Sequence, residues 1–171
     1  MGLDEFLNQL PEDDDESINY ASLPELSKLT GPEAEEFGQL WLEWTPERVL
    51  DIVDRMVALS EEQSDVEFES IYKQGLIYAS AKVRLSSLKG LEETSDRALL
   101  RPLTALLTTD PVSEVRAAAA IPLAYLAVMA EEGKLGSKAS VSLVEVLYGV
   151  LDDEREIQDV KLKALEAVAV F

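Results

Sequence analysis

Carboxylates are the one plentiful acid/base material in this 171-residue chain, which carries 34 Asp and Glu, 15 Lys and Arg, no cysteine and no histidine. Those two absences remove disulfides, thiolate nucleophiles, imidazole bases and the usual N/S zinc sites together. Ser80, Ser86 and Ser87 lie near Lys82 and Lys89 in sequence, but a Ser–Lys arrangement needs a pocket and a depressed lysine pKa. The acidic run Glu12-Asp13-Asp14-Asp15-Glu16 lacks the Gly-punctuated Asp-x-Asp-x-Asp pattern and distant Glu of a calcium loop, so it reads as a self-repelling linker. Gly31, Gly38, Gly75, Gly90, Gly133, Gly136 and Gly149 stand singly or inside helix patterns, and none opens a phosphate-binding loop. The chain is therefore expected to hold no catalytic site, no metal and no cofactor.

The net charge of −19 repels phosphate backbones and anionic lipid surfaces. Nucleic acid and membrane are accordingly not expected as partners; the acidity itself reads first as a means of solubility, and its sharper reading is a face that attracts a basic protein. The N-terminus has no basic region and no apolar stretch of secretory length. No window reads as the roughly 18 uncharged apolar residues that cross a bilayer, so a cytoplasmic location is expected. Met1-Gly2 lacks the following Ser/Thr of a myristoylation site.

Such a surface has to be positioned by helices. Leu3, Phe6, Leu7 and Leu10 share a helical face that Pro11 ends, so residues 1–21 are read as an N-terminal arm and acidic loop, with the folded domain over 22–171. Helix starts are marked by the capping-box patterns Ser22 to Glu25, Thr30 to Glu33 and Ser64 to Glu67, and by Thr45-Pro46-Glu47. The apolar periods predict helices over 33–44, 46–59, 66–78, 81–92, 97–108, 113–131, 139–151 and 157–171. Short connections make them four antiparallel pairs, about 33–59, 66–92, 97–131 and 139–171, in an all-α fold. On the helix from Pro46, Glu47, Asp51, Asp54 and Arg55 define a solvated face opposite Val49, Ile52, Val53, Met56 and Leu59. Phe37, Leu40, Trp41 and Trp44 read as core.

The second helices of the last three pairs repeat a pattern. Val83-Arg84, Val115-Arg116 and Val160-Lys161 are each followed four residues after the valine by a small residue, Ser87, Ala119 or Ala164, and eight after it by Leu91, Leu123 or Val168. Intervals of 32 and 45 residues with two helices per unit are those of an α-solenoid, in which each hairpin must stack on its neighbours to bury its faces. Pro122 lies on the apolar stripe of its helix and is expected to kink it near Ala118. The longer second interval is assigned to an exposed insertion at Glu131 to Lys138, where two glycines stand.

The stretch Leu99 to Ala120, with a first helix ending in Leu-Leu, an Asp110-Pro111 turn and then Val115-Arg116-x-x-Ala119, resembles the HEAT family, in particular bacterial HEAT-like repeats. The unit around Val83 matches in its second half, with Tyr78 where Asp110 stands, and the last unit has Lys161 in place of arginine. The resemblance covers about 66–171 and implies a HEAT/armadillo-like superhelix of about four hairpins. It further implies that Asp110 braces its turn, that Arg84 and Arg116 pair with acids in adjacent layers, and that the molecule is a non-catalytic scaffold binding a basic protein or peptide on an acidic concave face formed mainly by the second helices. HEAT-like repeats also occur in lyases that attach or remove bilin chromophores, which gives an alternative function of bilin-lyase type. A purely architectural role, as the N-terminal part of a longer HEAT-repeat protein, is the other alternative. Ala167 to Phe171 stop inside an apolar period, which suggests that the chain continues or that its C-terminal helix self-associates.

Overall fold

The computed structural model describes residues 2–11, 18–27 and 29–171, and among them there is helix but no strand. The run Glu12 to Glu16, read as a linker, lies outside the described residues. Two compact units divide the chain, Met1–Gly90 and Leu91–Phe171.

In the first unit α1 (Gly2–Leu7) and a 3-10 helix (Tyr20–Leu26) precede α2 (Gly31–Leu40), α3 (Pro46–Glu62), α4 (Glu69–Gly75) and α5 (Ala81–Gly90). Helix α2 packs along α4, α3 along α5, and α4 against α5. Two of the marked helix starts are used. Glu33 accepts the Thr30 main-chain N–H at 2.9 Å and its hydroxyl at 2.6 Å, and the Thr45 hydroxyl accepts the Arg48 N–H at 3.3 Å with Pro46 in the first helical position. Thr45→Ala should cost about 1 kcal/mol, the usual worth of an N-cap, read as a lower urea midpoint at unchanged slope.

Two other starts fail for local reasons. Ser22 is buried inside the 3-10 helix, which Asn19 caps by accepting the Ala21 N–H. Ser64 to Glu67 precede a helix that begins only at Glu69, because the Glu67 N–H is drawn to the Ser27 hydroxyl at 2.7 Å.

The first residues do not stand apart as an arm. Leu3 and Phe6 are buried, and the Phe6 ring meets Phe37 edge-on at 6.1 Å. Phe37 in turn contacts Trp41 at 5.4 Å and Trp44 at 5.7 Å, and Trp41 contacts Tyr78 at 5.9 Å. Phe37 and Trp41 are thus core, with Trp44 half-buried beside them, and three of these four ring contacts are edge-to-face, a geometry that adds to area burial. Arg48 ties the segment down by donating from Nη2 to the Pro11 carbonyl at 2.8 Å, its guanidinium lying over Trp44.

The second unit holds α6 (Leu100–Thr109, entered through a 3-10 turn at Arg97–Leu99), α7 (Ser113–Glu131), α8 (Ser137–Asp152) and α9 (Gln158–Val168). Helix α6 packs on α7 and α8, and α9 on α7 and α8. Helix α7 is continuous through Pro122, although that residue lacks the N–H that would bond to Ala118. It is also the one helix among the described residues long and apolar enough to cross a bilayer, a feature that the sequence reading passed over. More than half of that window is buried here, with Val115, Ala119, Leu123 and Leu126 fully enclosed.

The longer second interval is not a loop insertion. Helix α7 has 19 residues where α5 has 10, and this supplies most of the difference. The connection that follows α7 is a tight C-cap. Gly133, at φ 71°, donates to the Ala130 carbonyl, and Lys134 donates to that of Met129 at 2.8 Å, satisfying two terminal carbonyls before Leu135 turns inward.

Candidate functional site

The repeated Val-Arg pairs form hairpin braces. Val83, Val115 and Val160 are fully buried. Arg116 donates from Nη1 to the Asp110 carbonyl at 2.8 Å, while its Nε and Nη2 form a two-pronged contact with the Glu156 carboxylate, both at 2.8 Å. Asp110, itself buried, accepts the Val112 N–H through its carboxylate at 2.9 Å, so one residue holds the turn by side chain and main chain together. Pro111 is the exposed tip of that turn.

Arg84 repeats the main-chain half of this arrangement. It donates from Nη1 to the carbonyls of Tyr78 and Ala79, each at 2.9 Å. Position six before the arginine is therefore the recurring acceptor, Tyr78 in one hairpin and Asp110 in the other. Its carbonyl serves whichever side chain stands there, so the missing turn aspartate does not disrupt the brace. Lys161 is half-buried at the start of α9. The acid partner expected for Arg116 is present as Glu156, from the turn between α8 and α9. The Arg116 contact holds the Glu156 carboxyl below its usual range, and Glu156 raises the arginine in return.

These residues brace the helical hairpins. The open chemistry lies elsewhere, in a groove of about 440 Å³ between α3 and α5. Leu50, Val57, Ala58 and Leu85 supply its apolar surface, Asp54 and Glu61 stand along the α3 side, and Lys82, Ser86 and Lys89 along the α5 side. Ser86 donates to Asp54 at 2.5 Å, and Lys89 pairs with Glu61 at 2.9 Å. Both members of the latter pair are more than half exposed, so the bridge contributes little.

The sequence puts Asp54 on a solvated face and gives no pocket for Ser86 with Lys82 and Lys89. The groove brings all four together. The pocket that a Ser–Lys arrangement needs is thus present, but the Ser86 proton is committed to Asp54. Ser87 points the other way, fully buried beside Gly75. The rim carries both signs, the acidic ones on the α3 side and the basic ones on the α5 side. On the same turns of α3, Asp51 accepts from the Tyr20 hydroxyl, and Arg55 lies over the Tyr20 ring, 5.0 Å from its centroid. Spacing alone gave no hint of that contact, because it joins residues 31 apart. Compared with family models, with curated proteins and with solved structures, the chain matches none.

Proposed function

We propose that this chain is a non-catalytic scaffold of HEAT-like helical hairpins that takes a protein segment into the groove between α3 and α5. The observation that carries the reading is the groove itself, with an apolar floor and a charged, exposed rim on the pair of helices that a HEAT-like hairpin stack turns toward its ligand. Its shape suits an amphipathic segment, with apolar anchors over Leu50, Val57 and Leu85 and basic residues against Asp54 and Glu61. The layered order supports the same reading, since within each unit every second helix packs on its counterpart, α2 on α4 and α3 on α5, then α6 on α8 and α7 on α9. So does the use of Arg84, Asp110 and Arg116 as braces rather than as reactive groups.

The test compares the full chain with the Leu85→Glu, Asp54→Lys double variant as bait in a lysate, at low and high salt. The expected result is a basic protein held by the parent chain, released by salt and lost on the variant. Retention that ignores the variant would overturn the groove as the site. A bound pigment in place of a protein would favour lyase-type chemistry.

A further inference from the structure

Helices α7 and α9 carry the same pattern 45 residues apart, so each position on one has a counterpart on the other, and their burial differs on one face only. Val115 and Ala119 on α7, like Val160 and Ala164 on α9, are fully enclosed. Two residues after the first valine, however, Ala117 is 6% exposed where Leu162 is 51%, and five after it Ala120 is 0% where Leu165 is 50%. Helix α7 has α9 packed along it. Helix α9 has its own face of this kind uncovered, and there the small alanines are replaced by two leucines, with exposed Ala169 continuing the line. Larger apolar residues at the uncovered positions are the reverse of what a solvated face selects.

The charge around this face points to its occupant. In a chain of net −19, α9 holds Asp159 and Glu166 against Lys161 and Lys163 and is neutral. Two copies meeting here escape the like-charge repulsion that resists contact over most of the surface, and each offers both signs to the other. A strongly basic partner gains no such advantage from a neutral helix. We infer that α9 is a self-association surface, through which two copies of this chain pair by Leu162 and Leu165 in a two-fold dimer. A two-fold contact uses the same patch on both copies and so closes at two. This inference stands on α9 alone and does not depend on the α3–α5 groove.

Sedimentation velocity of the full chain, from low to high micromolar concentration, should show a monomer–dimer equilibrium. Leu162→Glu with Leu165→Glu should weaken it at least about tenfold, since two carboxylates from each copy would then have to be buried. Val141→Glu, a change at a 57% exposed position on α8, should leave it unchanged. Because the chain has no cysteine, Leu165→Cys should cross-link to a dimer under mild oxidation much faster than Val141→Cys, a readout that needs no disruptive charge. A monomer at every concentration, oligomers beyond two, or dimers indifferent to the paired glutamates would each overturn the inference, as would equal cross-linking at the two sites.

Discussion

Arg116→Ala should destabilise the Leu91–Phe171 unit by about 2–3 kcal/mol, because it removes one partner of an enclosed, two-pronged ion pair and leaves the other without its counter-charge. Neither side chain is more than a fifth exposed, so water cannot replace the lost contact cheaply. The Asp110 carbonyl would lose its guanidinium donor in the same step. Arg116→Lys should recover only part of the loss, since an ammonium cannot bridge both Glu156 oxygens while reaching that carbonyl. The pH dependence gives the effect a sign that simple packing loss would lack. The Arg116 contact depresses the Glu156 carboxyl in the folded state. Its stabilisation is therefore fully present above the ordinary glutamate value of about 4.3, and is lost as the pH falls through the depressed folded value. Urea titrations of parent and variant should differ most at neutral pH and converge in acid. A gap that stays constant into acid would mean that Arg116 acts through its contact with the Asp110 carbonyl and its packing alone.

The Arg116 brace also marks how far local pattern reaches. Periodicity placed α7 over Ser113–Glu131 without error, and it separated the two faces of α3, because burying an apolar stripe is a property of neighbouring residues along one helix. Capping signals were legible only where nothing distant competed. Thr30 and Thr45 act as read, whereas at Glu67 a hydroxyl 40 residues away takes the N–H. The Ser22 pattern lost to Asn19, whose side chain accepts two residues ahead and starts a 3-10 turn in place of an α-helix. The groove was hidden for a related reason. Asp54, Glu61, Lys82 and Lys89 are ordinary surface residues in their own helices, and they come to line one groove only when α3 and α5 lie side by side. The arginine was expected to meet acids, and Arg116 does. The carbonyl six residues earlier, which Arg84 and Arg116 both reach, has no side-chain identity for a sequence to display.

Two glycine-to-alanine changes should act in opposite directions, and the difference isolates packing from backbone propensity. Gly149 lies inside α8, where alanine is favoured over glycine by up to about 1 kcal/mol, whereas Gly90 is the last residue of α5, where that gain is smaller. Around Gly149 nothing lies within 4 Å of the added methyl, so Gly149→Ala should stabilise its unit by roughly that amount. At Gly90 the methyl would overlap the Tyr72 ring. That ring cannot easily yield. It is buried, packs edge-on against Phe68 at 6.3 Å, and shares a hydrogen bond with Ser60 at 3.3 Å, while burial pushes its hydroxyl pKa up to about 12. Gly90→Ala should therefore cost about 2 kcal/mol net, the overpacking strain exceeding the helix gain. Urea midpoints at constant slope would show the two shifts with opposite sign. The close approach of α5 to α4 through Gly90 also sets where α5 lies against α3, so the same substitution should loosen the groove. Were Gly90→Ala to stabilise as Gly149→Ala does, Tyr72 would have to move freely, and α4 would not be the rigid support that fixes α5 against α3.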